Sequence, residues 1–375
     1  MLQIECIEEE GRFLDLKEDW NALHRRAASA SFFLSHVWAR CSWRELRQKH
    51  EMRIVAVRDH NHLVAVAPLM KSRLFSRGLP MGQLSFMEHP ESQAGDILFD
   101  GTESSVEAVR LVLSLLRGER APDWQLLSLD KIPPSSPSLH HLSRLAQFLG
   151  FRYEMKSVHS APVICLAGGW EEYLKSRTPR FRKTLRNVSN RIGRLGRVEA
   201  NRYTGRDQTR EAVDKLFSVS DSSWKASDGI AITSSAGRRR FFADLCADPE
   251  AAQALQIWIL QADGAPLASE IQIKDRDTVY ALRSDFDERY ADYSPGSYLQ
   301  GEILKQLSSE GCSEYNMGVG RNAYKTRWAN QESRLMNFRL YNQTLYGYLL
   351  HSLDSCSLRL RGFRTLQGLL PGGAR

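Results

Sequence analysis

Apolar and polar residues along this chain follow two periods, and the periods alternate in an order that recurs. Period-two stretches predict strands at Leu2–Ile7, Arg53–Arg58 and Leu63–Met70, the apolar-rich run Trp124–Leu129 predicts another, and Tyr153–Leu166 is further strand material. The polar cluster Asp59–His62 joins the second and third of these into a hairpin, and Gly78–Phe86 and Asp96–Leu98 are weaker strand candidates. Period-3.6 stretches predict helices near Leu16–Ala28, over His36–Gln48 with Ser35 as N-cap, over Ser104–Leu116, and over Leu139–Leu149 with Gly150 just past its end.

The second half opens with helices at Gly169–Ser176 and, after Thr178-Pro179, at Arg180–Leu195, whose apolar stripe is Phe181, Leu185, Val188, Ile192 and Leu195. A strand at Val198–Tyr203 and helices at Asp207–Trp224 and Ala236–Ala247 follow. Asp263-Gly264 turns a hairpin between Leu255–Gln261 and Leu267–Lys274. A turn at Asp275–Asp277 then leads into the strand Val279–Leu282 and a polar loop from Asp285 to Tyr293. Ser294-Pro295-Gly296 starts the next helix, with Ser294 as N-cap and Pro295 in the first position. A helix start carrying a glycine after a strand leaves amides that suit a phosphate. Ser313–Met317 reads as a short strand, Asn322–Trp328 as one or two helical turns, and Arg334–Tyr341 as a final strand. The two hairpins lie roughly 200 residues apart, which suggests two copies of one α/β unit rather than a solenoid with its period of about 20–50 residues.

A length of 375 residues favours two domains, drawn here at 1–165 and 166–375. The net charge of +7 is mild but unevenly placed: between Lys175 and Arg210 only Glu199 and Asp207 oppose a long series of arginines and lysines. Cys6, Cys41, Cys165, Cys246, Cys312 and Cys356 are scattered without a C-x-x-C or paired histidines, so no metal site is expected and the thiols suit a reducing, cytoplasmic setting. No apolar run nears the ~18 residues of a membrane span, and the acidic start with Glu5, Glu8, Glu9 and Glu10 is unlike a signal peptide. The tail Leu345–Leu370, with Arg359, Arg361 and Arg364 among leucines, either docks on its own domain or makes a peripheral contact with acidic lipid.

One order of motifs carries more than any of its parts. Gly264-x-Pro266-Leu267-Ala268, Tyr280-x-Leu282, Asp287-x-x-Tyr290-Ala291-x-Tyr293-Ser294-Pro295-Gly296, Tyr315-Asn316-Met317-Gly318-x-Gly320 and Tyr324-Lys325-x-x-Trp328 together resemble the GNAT domain of CelD-like (cellulose-biosynthesis-protein-like) acyltransferases. Phe33-Leu34-Ser35-His36-x-Trp38 is similar to that family's opening segment. The resemblance implies an α/β (α+β) fold of two tandem GNAT-like units, each a mixed, mainly antiparallel sheet flanked by helices, with the cofactor site in the second. It also implies an N-acyltransferase that uses acetyl-CoA or a longer acyl-CoA as co-substrate, acting on a small-molecule amine such as an amino sugar or an envelope or polysaccharide precursor.

By the same resemblance the strands before and after the phosphate helix splay apart, and the donor lies between them. Leu282 and Arg283 then flank the thioester, and Ser294, Gly296, Ser297, Tyr298 and Leu299 hold the pyrophosphate, although Pro295 removes one donor from the usual glycine-rich loop. Glu270 is a candidate base, Tyr324 the candidate acid for the leaving thiolate, and Asp285 and Asp287 candidates to orient a cationic amine. Solvent-facing, turn-forming and core roles are the plainer alternatives for these side chains. Asn316, Lys325 and Trp328 are candidate substrate contacts, Lys325 for an anionic part, with Trp328 equally read as core. The arginine-rich helix contacts the 3′-phosphate end of coenzyme A or an anionic acceptor, binds RNA, or is a solvated face. Nucleic acid enters only under a Fem-like reading, in which aminoacyl-tRNA is the donor. A non-catalytic relative in polysaccharide assembly is the third reading.

Overall fold

The computed structural model describes residues 2–27, 30–76, 79–101, 104–117 and 124–355. Its strands are β1 (Leu2–Ile7), β2 (Glu51–Asp59), β3 (His62–Ser76), β4 (Leu79–Phe86), β5 (Leu98–Phe99), β6 (Leu126–Ile132), β7 (Arg152–Cys165), β8 (Val198–Thr204), β9 (Leu255–Ala262), β10 (Ala265–Asp275), β11 (Thr278–Phe286), β12 (Glu314–Asn316) and β13 (Gln331–Tyr341). They form one mixed, mostly antiparallel sheet in the order β1-β2-β3-β4-β6-β13-β7-β12-β11-β10-β9-β8, with β5 beside β3 and helices on its faces.

The expected doubling is visible in the pairing. β1 to β4 form an antiparallel meander whose last strand pairs in parallel with β6. β8 to β11 do the same, and β11 pairs in parallel with β12. Between the two meanders runs an antiparallel ribbon of β7 and β13, paired from Val163↔Gln331 to Arg152↔Tyr341 with one register shift between Leu335 and Met336. Strand β13, from the far end of the chain, also pairs with β6, so one sheet passes through both halves.

Local chemistry accounts for most boundaries. Asp263 and Gly264 both take positive φ, 45° and 83°, the geometry of a two-residue hairpin turn. Ser35 accepts a hydrogen bond from the Trp38 amide, and Thr178 Oγ1 accepts one from the Phe181 amide at 3.2 Å ahead of Pro179. The basic helix is Pro179–Ile192, followed by a 3-10 turn at Gly193–Leu195. Phe181, Val188 and Ile192 are buried, and the Phe181 ring meets the Trp328 ring edge-on at 5.0 Å.

The halves also share core. Phe33, Val37, Trp38 and Cys41 pack with Phe241, Phe242, Ile257 and Ile271 in one cluster. Ion pairs Arg40–Asp248 and Arg44–Asp244, the latter at 2.8 Å, close the same seam. At the C-terminal end, a helix over residues 345–355 returns to the first half, where Leu350 packs on Met81, Leu126 and Tyr341. The remainder of the Leu345–Leu370 stretch, from residue 356 on, falls outside the described residues. Among the described residues no helix is long and apolar enough to cross a membrane.

Candidate active site

β11 and β12 are paired only at Thr278↔Glu314, Val279↔Tyr315 and Tyr280↔Asn316. Beyond that point β11 continues along β10 to Phe286, while the other chain turns away. Gly318 and Gly320 take φ of 83° and 95°, Asn316 Oδ1 accepts the Gly318 amide at 2.9 Å, and the Met317 amide donates to Pro162 O at 3.0 Å. These contacts pull the strands apart. The gap is the mouth of a cavity of about 570 Å³, inside the usual range for a small-molecule pocket. Its walls include Ala281–Phe286 on β11, Met317–Val319 opposite, the helix start Ser294–Ser297, and Glu91, Gln93 and Lys131 from the first half.

Glu270 on β10 faces this cavity and is 2% exposed. Its Oε2 accepts the Ser284 hydroxyl at 2.6 Å, and its Oε1 accepts from the Tyr315 hydroxyl and the Gln272 amide. Burial pushes the Glu270 carboxyl above its ordinary range, the three hydrogen bonds and the charge of Lys225 only partly opposing this. The Tyr324 hydroxyl is held loosely, 3.4 Å from Gly296 O and 3.5 Å from Gln300 Oε1. Burial keeps its phenol protonated well beyond neutral pH. A buried carboxyl with raised proton affinity and a loosely held phenol therefore share one cavity.

The helix start departs from the expected cap. Ser294 adopts the left-handed conformation (φ 55°, ψ 50°), and its side chain caps nothing. Its carbonyl is instead the first acceptor of helix Pro295–Ser309, taking the Ser297 amide at 3.0 Å and the Tyr298 amide at 3.2 Å. Of the amides expected to face a phosphate, those two are thus engaged, whereas the Gly296 amide has no partner among the described residues. Arg191 of the basic helix reaches this turn, its Nη2 donating to Ser294 Oγ at 3.2 Å.

A charged wall completes the cavity. Lys225 Nζ lies 2.6 Å from Asp285 Oδ1 and donates to Ser284 O at 2.7 Å. Arg283 sits between Glu91 (3.4 Å) and Asp285 (3.7 Å). Asn322 caps the short helix Ala323–Trp328 by accepting the Lys325 amide at 2.8 Å, and that helix presents Tyr324 and Lys325 together. Gln93 Oε1 accepts the Val319 amide at 2.8 Å, a contact spanning 226 residues.

Of the residues singled out from sequence, Glu270, Tyr324, Leu282, Arg283, Asp285, Ser294, Gly296, Ser297, Leu299 and Lys325 line the cavity. Four do not. Asp287 caps the next turn and pairs with Arg289 at 2.6 Å, which holds its carboxyl below the usual range. Asn316 is occupied by the Gly318 amide, and the Trp328 ring is fully buried in the core beneath the helices. Tyr298 contributes its amide to the helix and its ring to the same core.

Tyr315, Gln300, Lys225, Glu91, Gln93 and Lys131 line the cavity without a site role having been read for them from sequence. Tyr315 and Gln300 had a local signal, since each lies on an element that the pattern predicts, the strand Ser313–Met317 and the helix after Pro295. Glu91, Gln93 and Lys131 had none. Lys131 is placed by the pairing of β6 with β13, and the loop residues Glu91 and Gln93 by their contacts with Arg283 and the Val319 amide.

Residues 179–326 match the family model described as Acetyltransferase (GNAT) domain. The match starts at the basic helix and ends just past Lys325, so it contains the splayed strands and the helix start. The chain is also similar to the crystal structure of FemX, with a TM-score of 0.61 at 14% identity, covering 92% of this chain and 100% of that one. A second likeness is to the C-terminal domain of a putative lysylphosphatidylglycerol synthetase from Agrobacterium fabrum (TM-score 0.53, 13% identity, 92% and 97% covered). A third is to L-PGS from Bacillus licheniformis (0.54, 12%, 90% and 95%). At these identities the likeness is one of fold. No curated protein matches the chain.

Proposed function

We propose that this protein is an N-acyltransferase that moves an acyl group from coenzyme A to an amine within the cavity between β11 and β12. The observation that carries the reading is the parting of two parallel strands beside a helix start, with a buried carboxyl and a half-buried phenol in the same gap. Past Tyr280 the edge of β11 has lost its parallel partner, and an extended thioester arm is the kind of ligand that takes such an edge. The free Gly296 amide, the absent Cβ there and Arg191 nearby suit a phosphate.

Amine acylation requires a neutral nucleophile and a proton for the leaving group. Glu270 accepts a proton from the acceptor amine, directly or through water, as the new N–C bond forms. Tyr324 gives its hydroxyl proton to sulfur as the C–S bond breaks, and is reprotonated from solvent or from Glu270. The order of motifs supports the CelD-like branch and an acceptor drawn from envelope or polysaccharide assembly. The test is thermal stabilisation across a series from acetyl-CoA to long-chain acyl-CoA. No shift with any of them at millimolar ligand sinks the reading.

A second reading has its own observation. The basic helix, with Arg180, Lys183 and Arg186 exposed, touches the helix start through Arg191, which favours a polyanionic donor such as aminoacyl-tRNA. A tRNA gel shift that disappears on changing Arg180, Arg186 and Arg191 to Glu, combined with indifference to acyl-CoA, selects it over the first.

A further inference from the structure

Most cations on the cavity wall have an anionic neighbour. Lys225 has Asp285, Arg283 has Glu91 and Asp285, and Lys131 has Glu88 at 3.5 Å and Ser92 O at 2.7 Å. Lys325 differs. Its Nζ donates to two backbone carbonyls, Gly318 O at 2.9 Å and Val319 O at 3.1 Å, and no carboxylate lies within ion-pair distance of it among the described residues.

An ammonium has three donors, so one remains for the cavity. Its position is built rather than incidental. The left-handed turn at Gly318 aims the two carbonyls at it, and Gln93 from the first half pins that turn through the Val319 amide. A Cβ at Gly318 would lie 3.6 Å from Nζ and 3.0 Å from Ala281 O, so the turn leaves no slack. The charged groups around the ammonium are Lys225, which opposes it, and Glu91 and Glu270, which favour it. The result is a half-buried, unneutralised positive charge in the chamber that holds Glu270.

We infer that the acceptor amine carries an acidic group, a carboxylate or a phosphate, and that the Lys325 ammonium receives it. This rests on the acyl-transfer reading for the word acceptor, since Glu270 would work on the amine end of the same molecule. An amino acid or an amino phosphate fits the pairing of a base with an unmatched cation. A plain alkylamine leaves the cation unmatched and adds another.

The test uses matched amines with the full chain: β-alanine against β-alaninamide, and phosphoethanolamine against ethanolamine. Binding is read by saturation-transfer NMR without any acyl donor, and acyl transfer is read separately, for wild type, Lys325→Arg and Lys325→Gln. The acidic member of at least one pair is expected to bind about tenfold to hundredfold more tightly, the scale of one charge-assisted hydrogen bond. The preference should survive in Lys325→Arg and vanish in Lys325→Gln, with KM changing more than kcat. The carboxylate and phosphate pairs tell the two sources of charge apart. Equal handling within both pairs, a preference that survives in Lys325→Gln, or an equal loss of kcat for neutral and acidic amines overturns the inference. Selective binding of acidic amines without acyl transfer keeps the anion site and removes the acyltransferase reading instead.

Discussion

The Tyr315 hydroxyl donates to Glu270 Oε1, joining β12 to β10 across the intervening strand β11 at the floor of the cavity. This bond favours the ionised carboxyl while burial opposes it, and burial is the larger effect. Tyr315→Phe should therefore raise the Glu270 pKa further. If Glu270 is the base, the acid limb of the kcat/KM profile moves to higher pH in Tyr315→Phe. An unmoved limb assigns the limb to another group.

Glu270→Gln should cost about 10²–10⁴ in kcat and yet raise the melting temperature at neutral pH. The sign follows from linkage. A carboxyl whose folded pKa lies above its unfolded value destabilises the fold as pH rises through that interval, and glutamine removes the buried charge. The stability gap between variant and wild type should close as the pH falls toward the unfolded carboxyl range. Parallel melting curves at all pH values would contradict the raised proton affinity.

Tyr324→Phe should lower kcat by about 10²-fold with acyl-CoA. The loss should shrink with a donor whose thiol leaves without help, such as a nitrothiophenyl ester. Donor-induced thermal shifts should change little, because the hydroxyl is only loosely bonded to Gly296 O and Gln300. An equal loss with both donors argues for a structural role.

At Gly296 a Cβ would meet only Phe286 Cδ1, at an ordinary 3.6 Å, and φ is not in the left-handed region. Gly296→Ala should leave stability unchanged or improved by about 0.5 kcal/mol, while weakening stabilisation by acyl-CoA. Gly318→Ala should behave in the opposite way. Its φ of 83° and the Ala281 carbonyl at 3.0 Å predict a loss of about 1–2 kcal/mol. Denaturant melts of the two variants, with and without acyl-CoA, separate the cases.

Burial and the neighbouring charge of Lys225 lower the Lys325 pKa to about 8. Affinity for an acidic amine should then fall as pH rises through about 8, because the neutral amine no longer attracts the anion. Fold stability runs the other way. A lysine with a depressed folded pKa penalises the fold below that pKa, and the penalty fades as pH rises from about 8 toward the ordinary lysine range. Measuring KM for β-alanine between pH 6.5 and 9.5, in wild type and Lys325→Arg, checks the first statement.

Local chemistry made much of this readable. The turn at Asp263-Gly264, the caps at Ser35 and Thr178, and the stripe Phe181–Val188–Ile192 depend on neighbours a few residues away, and the fold uses them as expected. The parting of β11 and β12 follows from Gly318 and Gly320, which are visible in the chain. Ser294 misled because serine before proline reads as a cap, whereas here its backbone turns left-handed and offers a carbonyl. Asp287 looked catalytic for want of knowing that Arg289 lies against it. The acceptor side was illegible, since Glu91, Gln93 and Lys131 reach the cavity only through pairings across more than a hundred residues.

Strand β13 lies between β6 and β7, so β6 lacks one neighbour until residue 341 has been made. At ordinary synthesis rates, the roughly 200 residues separating β6 from β13 take about 10–40 s to emerge. During that time Leu127 and Leu129 belong to an exposed, unpaired edge on the nascent chain. Among the described residues β13 is the last strand, and its synthesis sets when that edge can be covered. The first half is made first but finished last, and its dependence on chaperones should track the arrival of residues 331–341 rather than its own length.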